Sequence, residues 1–289
     1  MTPFELMEPQ TLQEAVGLLD PDDASVRPVA GGTALMLMMK AGVFAPTRLV
    51  SLQHIGAQHS EIGVSGAGEL RIGAMATLSA LERNTKAAEA FPVIARMLPR
   101  LSNVRVRNVA CVGGALAHGD PHMDLPPVLA ALGAKVSIVG PKESRDVAVD
   151  ELYTGYYETV VGRNELIADV IVPAMQSRKA AYLKITARSA DDWPALGVAV
   201  ALHADGNTLR DVRLVASAAT AMVMRLTEAE KILNGASADD ATLKRAGDAA
   251  VAEAPIIGDI RGSVAYKREL LRVGVGRAVR QALSSRPTH

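Results

Sequence analysis

The period of the apolar positions changes several times along the chain. Residues 11–19 put Leu12, Ala15, Val16 and Leu19 on one helical face, with Thr11 as N-cap and Glu14, three residues on, as its capping-box partner. After the turn Asp20-Pro21-Asp22-Asp23, the short apolar run 27–30 predicts a strand, 33–40 a helix and 48–52 a second strand, a βαβ-like opening unit. Residues 69–72 read as a strand, and 77–81 and 87–97 as helices, the latter stopped before Pro99. Alternation in 135–140 ends at Gly140-Pro141, and 165–173 carries another apolar strand. A polar joint at Met175-Gln176-Ser177-Arg178 then marks a change of composition and places a domain boundary near residue 176. Beyond it, three strand-like runs, 181–186, 195–203 and 212–218, are separated by turn residues such as Asp205-Gly206-Asn207. Helical periodicity covers 227–233, 238–252 and 263–283, where Val264, Leu270, Leu271, Val275 and Val279 share a side.

Composition narrows the classes of function. With 289 residues, 49% of them hydrophobic, the chain buries a substantial core and divides into two domains or lobes. Its 31 basic and 31 acidic residues cancel without a long run of either sign, which argues against a nucleic-acid groove or an anionic membrane surface. The first residues lack a basic n-region, and the most apolar stretch, 34–44, is interrupted by Lys40 and too short to cross a bilayer, so the expected setting is cytoplasmic, with no transmembrane segment. The single cysteine, Cys111, excludes an internal disulfide. It also excludes an iron–sulfur cluster held by this chain alone, because such a cluster takes about four thiolates. Any cluster sits on a partner.

The chemistry points to an anion. Ala30-Gly31-Gly32-Thr33 and Cys111-Val112-Gly113-Gly114 each follow a short apolar run and lead into a helix-like stretch, where a glycine pair permits positive φ and close approach of a diphosphate to unpaired N–H groups. Neither pair fits the P-loop or the dinucleotide fingerprint. His118-Gly119-Asp120-Pro121-His122-Met123-Asp124 looks metal-like, but Gly119 and Pro121 prevent one helix from aligning the two imidazoles, and Asp120 reads instead as N-cap with Pro121 as first helical residue. Asp124 then falls in the first turn, either as a solvated dipole partner or as an acceptor for a hydroxyl-bearing ligand. Lys184, Arg188, Asp191 and Asp192 read as a hairpin end with surface pairs, Trp193 as closing a hydrophobic patch, and Cys111 as a small buried residue.

In combination these segments resemble a family. Pro28-Val29-Ala30-Gly31-Gly32-Thr33-Ala34-Leu35, Val106 to His118 with Cys111-Val112-Gly113-Gly114-Ala115, then Asp120-Pro121 and Asp124-Leu125-Pro126, resemble the FAD-binding medium subunit of molybdenum hydroxylases, the group of the carbon monoxide dehydrogenase flavoprotein and the xanthine dehydrogenase flavin domain. Lys184 to Asp192 with Trp193, and Asp259 to Arg268, are similar to its C-terminal segments, so the likeness spans nearly the whole chain.

The resemblance implies an α+β fold: a two-lobed, vanillyl-alcohol-oxidase-like FAD domain over 1–176, with lobes of about 1–56 and 57–176, then a C-terminal domain over 177–289 with a three-stranded antiparallel sheet and helices. It further implies that Pro28 to Leu35 and Cys111 to Ala115 grip the FAD pyrophosphate and adjoining sugar through main-chain N–H groups. Asp124 would accept from the adenosine end, Leu101 would pack on the cofactor and Lys184 would approach the flavin or its linker, where a cation stabilises negative charge on the ring. Thr33-Ala34 and Cys111 depart from the family's usual residues, which leaves main-chain contacts as the carried-over ones. The expected partners are a large molybdenum-cofactor subunit and a small [2Fe–2S] subunit in a dimer of heterotrimers, the complex handing electrons to an external acceptor. The alternative is a stand-alone FAD-dependent oxidoreductase acting directly on a small substrate, although no base is clearly placed near either glycine pair.

Overall fold

The computed structural model describes residues 2–284. Three larger sheets organise it, beside a two-stranded hairpin of Tyr153–Gly155 and Glu158–Thr159. The first is parallel, in the order Glu5–Met7, Arg48–Ser51, Val26–Val29, and the helix Leu35–Lys40 makes the crossover between its last two strands. That is the βαβ unit expected from the alternation of short apolar runs. Thr11 caps the helix Leu12–Gly17 by accepting from the Glu14 N–H, but the Glu14 carboxylate takes the N–H of Gln10 rather than that of Thr11, so the capping box is displaced by one residue.

The second sheet is antiparallel, in the order Ile62–Val64, Leu70–Gly73, Leu166–Val172, Lys135–Val139, Ser144–Ala148. Helices cover it, and one differs from the sequence expectation: 87–97 is broken into Thr85–Ala90 and Pro92–Met97. Pro92 has no N–H to give and starts a new helix, while Asn84 caps the preceding one by accepting from the Ala87 N–H. Similarly, no helix begins at Asp120-Pro121. The helix is Leu125–Leu132, with a proline in its own first turn, and the Asp120 carboxylate is taken up by the main-chain N–H and ring of His122.

The third sheet has four strands, Lys179–Thr186, Pro194–Asp205, Thr208–Ser217 and the two-residue Met224–Arg225, one more than the expected three. Pro194 to Leu202 is buried at every position, which explains its unbroken apolar run. Ala199 and Ala201 face a core shared with the Leu125–Leu132 helix and the second sheet, whereas Leu196, Val198, Val200 and Leu202 pack on the helices Thr227–Leu233, Asp240–Glu253 and Val264–Ser284. The same alternation on the edge strand sends Ala180 and Tyr182 to the first core, together with Lys184, and Ala181, Leu183 and Ile185 to the second. Among the described residues no helix is long and apolar enough to cross a membrane.

Candidate functional site

The two glycine pairs are brought side by side. Pro28 and Val29 close the strand Val26–Val29, Ala30 and Gly31 form the turn, and Gly32 takes a left-handed φ of 68° before Thr33 and Ala34 lead into Leu35, the first helical residue. Every residue from Arg27 to Met36 is half-buried, as befits the wall of a groove. Among the described residues the main-chain N–H groups of Gly32, Thr33 and Ala34 find no acceptor. These are the orphan donors of a strand-to-helix turn.

The second pair is built differently. Cys111 is the N-cap residue of the helix Val112–Ala117, and the N–H groups of Val112 and Gly113 are already spent on the carbonyls of Ala76 and Ala74, at 2.9 and 2.8 Å. The Ala115 N–H returns to Cys111 O, and the N–H groups of Cys111 and Gly114 make no hydrogen bond among the described residues. Gly113 packs against Ala74, where an added Cβ would fall 2.6 Å from the alanine methyl. Gly114 is exposed between buried neighbours, and its added Cβ would meet only the Cβ of Ala30, at 3.9 Å. A Cβ is therefore tolerated at Gly114 but not at Gly31, where it would lie 1.9 Å from Val109 O. Cys111 is buried beside the Gly31 N–H, and desolvation pushes its thiol above the ordinary range.

Asp124 and Lys184 form a second group. The Lys184 ammonium donates to Asp124 Oδ2 at 2.9 Å and to Arg100 O at 2.7 Å, while the Tyr182 hydroxyl donates to Asp124 Oδ1 at 2.7 Å. All three side chains are buried, Lys184 at 6% exposure, so neither a solvated dipole partner nor a surface pair describes them. Desolvation pushes the Asp124 carboxyl up, opposed first by the Lys184 charge and then by the two hydrogen bonds. Arg188 and Asp191, by contrast, are exposed on the connecting turn. Among the described residues, none of this group's hydrogen bonds reaches either glycine pair. Leu101 lies in the main core, and its carbonyl accepts from Arg107, which also holds Ser102 O at 2.6 Å and pairs with Glu82.

Sequence reasoning passed over Tyr182, Arg107 and Gly197. The first had a signal, since residues two apart on a strand share a face and Tyr182 stands two before Lys184. Gly197 makes room for the hydroxyl: a Cβ there would meet Tyr182 Oη at 2.6 Å. The paired imidazoles of 118–124 diverge. His118 packs edge-on against Tyr157, and His122 lies between Asp120 and Asp259; no group able to hold a metal ion occurs among the described residues.

Comparison with known proteins places this geometry. A family model described as the FAD binding domain in molybdopterin dehydrogenase matches residues 2–175, and one described as the CO dehydrogenase flavoprotein C-terminal domain matches 181–282. The carbon monoxide dehydrogenase medium chain of Hydrogenophaga pseudoflava is 30% identical, with 98% of this chain and 96% of that one covered. The glyceraldehyde dehydrogenase medium chain of Sulfolobus acidocaldarius is 28% identical, over 93% and 95%. The solved carbon monoxide dehydrogenase from Hydrogenophaga pseudoflava that lacks the Mo-pyranopterin moiety superposes with a TM-score of 0.93 at 30% identity, covering 98% of each chain. Matched over nearly its whole length in this way, the protein belongs to the FAD-binding medium subunits of the molybdenum hydroxylases, and is an oxidoreductase subunit.

Proposed function

We propose that this chain is the electron-transfer subunit of a heterotrimeric molybdenum hydroxylase, with FAD bound along the two adjoining glycine turns at 30–34 and 111–115. Bound there, FAD supplies the redox chemistry that links [2Fe–2S] centres on a small partner, fed by a molybdenum cofactor on a large one, to an external acceptor. The observation that carries the reading is the unequal pair of turns. The Gly32-Thr33-Ala34 segment offers N–H donors to a pyrophosphate, while the opposite wall at Gly114 offers bare backbone that a bulky anion can approach.

Other residues have supporting roles in this proposal. Asp124 and Lys184 present a fixed, charge-balanced pair to the sugar or ring portion of the cofactor, and burial keeps them from relaxing as charge arrives. Leu101 shapes the wall near that pair through its backbone, held by Arg107. Pro28, Val29 and Leu35 fix the ends of the first turn, Val112 and Gly113 anchor the second to Ala76 and Ala74, and Cys111 and Ala115 close it on itself.

Purification of the chain with its partners tests the proposal. Non-covalent FAD, iron and molybdenum should co-purify in a complex of small, medium and large chains, with the mass of two heterotrimers. Absence of FAD from both the complex and the free chain sinks it. Reduction of flavin in the isolated chain by a small substrate favours the stand-alone oxidoreductase instead.

A further inference from the structure

Two segments that the FAD reading leaves unused, the 118–124 loop and the turn before the last helix, meet in one closed hydrogen-bond ring. His122, 5% exposed, places Nδ1 2.9 Å from Asp120 Oδ1 and Nε2 2.9 Å from Asp259 Oδ2, so that a carboxylate acceptor faces each ring nitrogen. Asp259 also accepts from the Lys267 ammonium at 3.0 Å and from the Arg261 N–H at 2.8 Å. Lys267 is fully buried and donates to Ala218 O at 2.8 Å, and the Ala218 N–H donates to Pro121 O at 2.8 Å, one residue from His122. Ala218 pays for this closure with a left-handed φ of 65°, a conformation that persists in an alanine only where neighbours over-determine it.

We propose that Asp259, His122 and Lys267 are positioning residues for the cofactor: they clamp the 118–122 loop to the C-terminal segment, and so hold the second glycine turn and Asp124 in register with each other. The inference rests on the FAD reading. The loop begins where the Val112–Ala117 helix ends and finishes at Asp124, so its course sets the distance between Gly114 and the Asp124–Lys184 pair. A lone carboxylate at 259, far in sequence from the glycine turns, thereby acts on FAD without a contact to it. The charges suit a clamp. Desolvation opposes ionisation of Asp259, but the His122 and Lys267 hydrogen bonds outweigh it and hold its carboxyl at about 2; Asp120 is likewise held low, against its burial, by His122.

Trp193, the sole tryptophan, reports on the clamp directly. It stacks on the His122 ring at 5.9 Å and lies 4.9 Å from the Arg261 guanidinium. The test combines Trp193 fluorescence of the full-length chain with the FAD release rate of the purified complex, for Asp259→Asn, His122→Gln, the double variant and an Ile260→Ser control on the same turn, where the side chain is 93% exposed. Asp259→Asn and His122→Gln should each alter Trp193 emission and speed FAD release about tenfold, with the double variant little worse than either, while Ile260→Ser matches the unsubstituted protein. A folded Asp259→Asn or His122→Gln chain whose Trp193 emission shifts while FAD release stays within about twofold of the unsubstituted complex overturns the proposal. So does unchanged emission and release in both. If Asp259→Asn does not fold, His122→Gln decides with the same two measurements. FAD missing from the unsubstituted complex overturns the FAD reading, and this inference with it, before any variant is compared.

Discussion

At the scale of single residues, two glycines, one in each turn, carry different physical burdens. Gly31 has no room for a methyl group, because Val109 O occupies the place where Cβ would be, whereas a methyl group at Gly114 would meet only Ala30 Cβ, at an ordinary contact distance of 3.9 Å. Gly31→Ala should therefore lower thermal stability, by about 1–3 kcal/mol from overpacking, as a denaturant titration reads it. Gly114→Val should leave the melting temperature near that of the parent and empty the complex of FAD, because the added branch occupies ligand space rather than core. Retention of flavin by folded Gly114→Val would argue that the second turn is no more than a turn. Lys184 gives the converse case. Lys184→Met leaves the buried Asp124 carboxylate without its cation and should cost about 3–5 kcal/mol, measured by the same titration. Asp124→Asn together with Lys184→Met should recover part of that loss, since the uncompensated charge is gone.

Elements decide which of these residues meet. The edge strand Lys179–Thr186 turns Tyr182 and Lys184 toward the Leu125–Leu132 helix because they are two apart, and Asp124 awaits them at that helix's N-terminal boundary. Gly197, on the neighbouring strand Pro194–Asp205, keeps the space for the tyrosine hydroxyl. Gly197→Ala should displace that hydroxyl and destabilise the protein by about 1–3 kcal/mol, and Tyr182→Phe by about 1 kcal/mol, with the two effects failing to add in a double-mutant cycle. Helices also show where local signals compete. Residues 87–97 hold a sound apolar period, yet Pro92 divides them; Asp120-Pro121 has the form of a helix start, yet His122 captures the carboxylate and the helix waits for Leu125.

For the whole molecule, the ring through Asp120, His122, Asp259 and Lys267 joins segments 137 residues apart and makes stability sensitive to acid. The folded Asp259 carboxyl titrates at about 2, below its ordinary value of 3.8. Its contribution is therefore complete above the ordinary carboxylate range and is lost as pH falls through that range toward 2. Acid titration followed through Trp193 emission should show a transition in that window which Asp259→Asn abolishes. A transition of equal size in the variant would assign it to other carboxylates.

Local sequence carries the βαβ opening, both glycine turns, the three strand-like runs after residue 176, the exclusion of a cluster held by a lone cysteine, and a resemblance that named FAD. The elements and turns follow from short-range periodicity and backbone permissiveness, which few neighbours can overrule; the cluster exclusion follows from the cysteine count, and FAD from the family resemblance alone. Only the tertiary structure decided that the turns are unequal, because the N–H groups of Val112 and Gly113 are consumed by carbonyls at 74 and 76 that no local pattern points to. It alone buried Lys184 on Asp124, where charge pattern indicated a surface pair, since the burial of a strand's face depends on what packs over it. It alone joined His122 to Asp259, 137 residues away, because contacts at that separation are set by how sheets and helices stack and leave no mark in the spacing of residues along the chain.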